Sequence, residues 1–355
     1  MKRFCRKQFA RRDHFAPHLN SGFEGYYCRA QLEDGSTIAI ILCSVNTAKH
    51  RRNYIHCSHT PLDPEPSGSG FKYDMYPEYF GIETQEPASD GSIPFSINVP
   101  GYGGIEVSPT TVKLNLKIPG EEIEVRLELL NRIQWSTSTP IEGPMGAYAY
   151  LSRIQPLNWH VYSTGSDAYY TIITAGHTRT GNAVAHLEKN WGRSFPAGWI
   201  WCQAFESDGR RLCLAGGRAL PGVQAYLIGY RSLRLTWDFR PPITAFLGCI
   251  GSPWISIQRD SREGWVRLRV RGLRRKLVVN AEAPIDTFVG LSCPLRDGHE
   301  PHYAFESFNA QVWVEAWTRR WPWQKWECIE EGLCGGPAAA LEFGGSFSHF
   351  VEIHQ

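Results

Sequence analysis

Residues His186 to Phe205 read HLEKNWGRSFPAGWIWCQAF. A charged stretch, Glu188-Lys189-Asn190, is followed by a Phe195-Pro196-Ala197-Gly198 turn and then by an aromatic run. Side chains alternate across a β-strand, so Trp199, Trp201, Gln203 and Phe205 share one face and Ile200, Cys202 and Ala204 the other. Apart from Gln203 both faces are apolar, which predicts an interior strand. A carboxamide set among two indoles and a phenyl ring needs a hydrogen-bond partner or a polar ligand. The charged residues upstream read as a loop that the turn folds over this aromatic wall.

Outward from this stretch, the same strand grammar recurs. Residues 25–32 and 37–45 form a hairpin about Glu33-Asp34-Gly35-Ser36, and residues 199–205 and 211–215 form another about Ser207-Asp208-Gly209. GYYCRAQLEDGS and GWIWCQAFESDGR share one form: glycine, aromatic strand, acidic Asp-Gly turn, returning strand. Their first glycines lie 173 residues apart. Two β domains of related build follow, residues 14–181 and 182–355, the second carrying the signature stretch. Residues 112–116 and 122–130 alternate as half-buried antiparallel strands do. Residues 224–228, 233–239, 265–270, 276–280, 310–317 and 339–343 are also strand-like. Residues 60–70 and 84–94 are loops on their Pro, Gly and Ser content. No long amphipathic helix is visible, so the fold class is all-β.

Composition bounds the function. Thirteen Trp, 15 Tyr and 17 Phe favour strands and aromatic cavities. A net charge of +2 argues against a nucleic-acid partner. Arg267, Arg269 and Arg271 share one strand face and read as solvated. Ten cysteines without a CxxC pair, and no signal segment, fit a reduced cytoplasmic setting. No run approaches the length of a membrane span. The basic start, MKRFCRKQFARR, is a disordered basic tail, a contact with a membrane surface or an atypical targeting segment. His50, His56, Cys57 and His59 match no zinc spacing, so no metal is expected. With no dinucleotide or phosphate fingerprint either, the expected chemistry is cofactor-free.

Glu188-Lys189-Asn190-Trp191-Gly192, Phe195-Pro196 and Trp199-Ile200-Trp201-Cys202-Gln203 resemble the EKNWG-x-x-FP-x-x-W-x-W-x-Q signature of the tocopherol cyclase family. Phe23-Glu24-Gly25-Tyr26-Tyr27, Glu142-Gly143-Pro144-Met145-Gly146 and the closing AAALEFGG (338–345) follow in the family's order. Plant members usually read FEGWY where Tyr26 stands. The resemblance implies two lipocalin-like (calycin) antiparallel β-barrel or sandwich domains packed together, with an apolar pocket near their interface. It also implies a cyclase for a lipophilic terpenoid, meroterpenoid or polyketide.

Glu188, Asn190, Gln203 and His160 are the candidate catalytic residues. Trp199, Trp201, Phe205, Tyr27, Tyr162, Glu24 and Lys189 are candidates to contact substrate. In β conformation Glu188 and Asn190 face a cavity and Lys189 faces away. A carboxyl in a dry apolar site is pushed up in pKa and can donate a proton, whereas a neighbouring lysine reverses this. Glu188 is therefore either an acid or a brace ion-paired to Lys189. His160 is either a satisfied core histidine or catalytic, and Glu24 either caps a turn or meets substrate. Ring closure can be proton-initiated, with aromatic faces stabilising a cation, or pericyclic ([4+2], Diels–Alder type), driven by orientation. A non-catalytic lipocalin-like carrier of a hydrophobic small molecule is the alternative from another class.

Overall fold

The structure, a computed structural model, describes residues 13–62, 70–136, 142–152, 155–248 and 250–350. The basic start and most of the loop at 60–70 lie outside the described residues. By contacts the chain divides into two compact units. One holds the chain to His59, Gly68–Ser194 and Pro294–His299, and the other holds Thr60–Ser67, Phe195–Cys293 and the chain from Glu300.

The first unit carries β1 (Phe23–Leu32), β2 (Thr37–Val45), β3 (Asn53–Thr60), β4 (Phe71–Met75), β5 (Gly81–Thr84), β6 (Phe95–Val99), β7 (Gly103–Val107), β8 (Val112–Ile118), β9 (Ile123–Leu130), β10 (Leu157–Thr174) and β11 (His177–Gly192). They form one curled antiparallel sheet in the order β4-β3-β2-β1-β11-β10-β9-β8-β7-β6-β5. The second sheet holds β12 (Gly198–Phe205), β13 (Arg211–Leu220), β14 (Val223–Arg231), β15 (Thr236–Phe239), β16 (Ala245–Leu247), β17 (Ile255–Asp260), β18 (Trp265–Arg271), β19 (Arg275–Glu282), β20 (Val289–Leu295), β21 (Gly298–Thr318) and β22 (Glu327–Gly345). Its main path is β15-β14-β13-β12-β22-β21-β19-β18-β17. The fold is all-β, as the alternation predicts.

The two hairpins of the repeat occupy equivalent places. Each unit's first strand lies between the returning strand of its hairpin and the last strand of the unit: β2-β1-β11 and β13-β12-β22. The turns match atom for atom. Asp34 Oδ1 accepts from the Ser36 amide at 3.0 Å, and Asp208 Oδ1 from the Arg210 amide at 3.0 Å. Gly35 and Gly209 supply the left-handed backbone, φ 82° and 88°.

Two expectations are corrected here. Glu188-Lys189-Asn190 is not a loop but the end of β11, hydrogen-bonded to β1 on one side and β10 on the other. For the same reason the division falls at Ser194 rather than near Gly181: β11 completes the first sheet. The signature is thus shared, its EKNWG half in the first unit and its aromatic half opening the second.

Each sheet turns one face to an apolar cluster. In the first unit Tyr26, Cys28, Leu187 and Ala185 belong to it, with alternating residues of β8 and β9. In the second, Ile200, Cys202 and Ala204 pack with Val266, Leu268 and Val270. Arg267, Arg269 and Arg271 alternate with those three and are exposed, as expected of a solvated face. Within the His50–His59 group, both ring nitrogens of His56 have partners in the first unit. His56 Nδ1 meets Asp74 at 2.8 Å and its Nε2 meets Ser58 Oγ at 2.9 Å.

Candidate functional site

Alternation along β11 sorts the signature's polar residues into two sets. Lys189 turns to the face bearing the apolar cluster, where it is fully buried. Its ammonium donates to the carbonyls of Phe15 (3.2 Å) and Ala16, meets His18 Nδ1 at 2.9 Å, and pairs with Glu24. It also lies over the rings of Tyr26 (5.0 Å) and Trp191 (5.4 Å). Glu24 accepts from the His18 amide at 2.8 Å and from Tyr26 Oη at 3.0 Å. Phe15 stacks on Tyr162 at 4.1 Å and meets Tyr26 edge-on at 5.4 Å. The chain's own residues 13–18 therefore fill this ground, and Lys189 with Glu24 holds them there.

Electrostatics follow from that packing. Burial alone would raise the pKa of Glu24, but the Lys189 charge and the bonds from His18 and Lys189 outweigh it and hold the carboxyl at about 2. Burial pushes the pKa of His160 well below an ordinary histidine, and the nearby Arg132, His14 and Lys189 side chains act in the same direction. Its Nε2 is buried without a hydrogen-bond partner among the described residues. Neither Glu24 nor His160 carries an acidic proton at neutral pH. Lys189, Glu24, His160 and Tyr162 come together, but as a brace around the first strand's approach.

The opposite face of β11 is different. His186 and Glu188 are both buried, and His186 Nε2 meets Glu188 Oε2 at 2.8 Å. Asn190 Nδ2 approaches Glu188 Oε1 at 3.4 Å. Across the ladder Tyr27 stands opposite Glu188, and the fully buried Arg29 opposite His186. The partner of Glu188 is thus His186, not Lys189. The contact sets a carboxyl against an imidazole, both side chains buried.

In the second unit, Trp199, Trp201 and Gln203 are buried on the face of β12 that turns away from the apolar cluster, and Phe205 is half-buried at the strand's end. Trp199 stacks on Phe195 at 4.9 Å and donates its indole N–H to Glu342. Gly344 stands opposite Trp199, and a Cβ there would lie 2.0 Å from the indole carbons, so the ring lies across a glycine. Trp201, Glu342 and Glu306 form one row over three strands. That row repeats Tyr27, Glu188 and Val161 in the first unit.

His186, Arg29, Glu306 and Glu342 are absent from the candidates chosen on sequence. One signal for Glu342 is present in the chain: Leu187-Glu188 and Leu341-Glu342 precede the closing residues of each unit's last strand. Arg29 and Glu306 give none, because a buried charge and a solvated one look alike in sequence.

The fold is all-β and lipocalin-like, in two units. No family model matches the chain. Among solved structures it is similar to CghA bound to Sch210972, with TM-score 0.56 and 9% identity, covering 93% of this chain and 90% of that one. It is similar also to kievitone hydratase from Nectria haematococca, with TM-score 0.52 and 10% identity over 94% and 92% of the two chains. A third is AttH from Nitrosomonas europaea, with TM-score 0.50 and 13% identity over 94% and 95%.

Proposed function

We propose that this chain is a cofactor-independent cyclase that closes a ring on a lipophilic terpenoid, meroterpenoid or polyketide. The observation that carries the reading is the buried His186–Glu188 contact of 2.8 Å. The pair, in its protonated form, gives a proton to an alkene carbon of the substrate. A phenol or enol oxygen of the same molecule attacks the resulting cation, forming the C–O bond. The oxygen's proton then returns to the pair, so the reaction is an isomerisation with no other reactant. General acid catalysis of this kind contributes about 10²–10⁴-fold. Asn190 and Tyr27 orient the carboxyl and the substrate. The signature's resemblance to tocopherol cyclases supports this reading. So does a fold shared with a protein named a hydratase and with one solved around a small molecule.

The test compares metabolites of a producing host with and without the chain, then repeats the comparison with Glu188→Gln and in deuterated water. The expected result is a cyclic product that carries solvent deuterium at the protonated carbon. Its formation should fall about a hundredfold or more with Glu188→Gln at unchanged melting temperature. A cyclic product without deuterium, formed almost as well by Glu188→Gln, would instead mark a pericyclic closure. No change in any product, with a hydrophobic molecule retained by the purified protein, would make the chain a carrier.

A further inference from the structure

Two neighbouring segments of the second unit are rich in basic residues and hold no acidic one. Residues 271–276 read RGLRRK and residues 319–326 read RRWPWQKW, with four basic residues in the first, three in the second and no acidic residue in either. The structure places them side by side. The Arg319 amide donates to the Arg274 carbonyl at 3.1 Å, Arg319 Nε to the Leu273 carbonyl at 2.8 Å, and Thr318 Oγ1 to the Arg274 carbonyl at 3.1 Å. Between them they expose large apolar side chains: Trp323 at 78%, Leu273 at 60% and Trp321 at 41%. Pro322 is exposed with them.

Cations surround these rings at short range. Trp321 and Trp323 stack at 5.4 Å and 5°. Arg274 lies 5.5 Å over Trp321, Arg319 lies 4.2 Å over Trp326, and Lys276 lies 3.9 Å over Trp317. Two acids border the tip: Glu315, which accepts from the Trp317 indole N–H at 2.9 Å, and the exposed Glu327, next to Trp326 and opposite Thr318 on the ladder. Exposing two indoles and a leucine to water is unfavourable for a soluble surface. Indoles within a ring of Lys and Arg suit a bilayer headgroup layer, where the ring sits at the apolar boundary and the cations meet anionic lipid.

We propose that this paired tip, Leu273 with Trp321 and Trp323 inside their ring of basic residues, docks the protein on an anionic membrane surface. Charge complementarity selects that partner, and the exposed leucine and proline favour it over single-stranded nucleic acid. Leu273 is no stacking platform, and Trp321 and Trp323 already occupy one face of each other. The inference is independent of the cyclase reading, since neither segment contains a residue proposed for the chemistry.

The full chain is sedimented with vesicles of phosphatidylcholine alone and of phosphatidylcholine with phosphatidylglycerol, at low and high salt. Binding is expected only to the anionic vesicles, with a blue-shifted tryptophan emission, and should weaken as salt rises. Trp323→Ala combined with Leu273→Ala should abolish it, and Lys325→Glu should weaken it on the order of tenfold. All three substituted positions are exposed, so melting temperature should not move. Failure of the wild type to bind anionic vesicles would overturn the proposal, as would binding unaffected by these variants. Tight binding of a single-stranded oligonucleotide in place of vesicles, or concentration-dependent self-association lost in the same variants, would assign the surface to that partner instead.

Discussion

Replacing Lys189 with methionine keeps the volume of the side chain and removes its charge. Lys189 is fully buried and Glu24 nearly so, so the carboxylate would remain in a low-dielectric interior without its cation. Two routes give the size of the loss. A carboxyl held at about 2 in the folded chain, against 4.5 ordinarily, is worth about 3 kcal/mol. Removing one partner of a buried ion pair costs about 3–5 kcal/mol. The sign of the pH dependence follows. Because the folded value is depressed, the stabilisation by Glu24 is complete above 4.5 and is lost as pH falls from there toward about 2. In the variant, burial without a cation raises Glu24 instead, so acid favours the folded form. Urea unfolding of both proteins, from neutral pH into the acid range, should therefore show a gap that narrows as pH falls. Glu24→Gln added to Lys189→Met should restore most of the loss, since a neutral amide needs no cation. A neutral-pH loss under about 1 kcal/mol, or a gap that does not change with pH, would refute the brace.

Trp201→Ala should destabilise the second unit by about 3–5 kcal/mol, read as a lower urea midpoint, because the indole is 7% exposed in an interior strand. An unchanged midpoint would remove Trp201 from the packed face. Gly344→Ala should cost about 1–3 kcal/mol and change the near-ultraviolet dichroism, because the new methyl displaces the Trp199 indole and its bond to Glu342.

Much of the fold is local and so legible without coordinates. Period-two alternation is a property of one strand, and it places β8, β9, β12 and β18 and the exposure of Arg267, Arg269 and Arg271. An Asp-Gly turn carries its own hydrogen bond and left-handed glycine, so both hairpins of the repeat are readable as well. Short strands without clean alternation, such as β4, β5 and β17, carry too little pattern to be seen.

The charged half of the signature is where the sequence misleads, and the reason is physical. A run of Glu, Lys and Asn looks like a solvated loop, because single-residue polarity says nothing about compensation supplied from far along the chain. Lys189 becomes an interior residue only through carbonyls at Phe15 and Ala16 and the carboxylate of Glu24, all more than 160 residues away. Glu188 is separated from that lysine by nothing more than strand parity, and its partner His186 is two residues back on the same face. The sequence alone determined which residue types were available to the site. The tertiary structure decided which of them meet, because the energy of a buried charge depends on the partners that the sheet register brings to it.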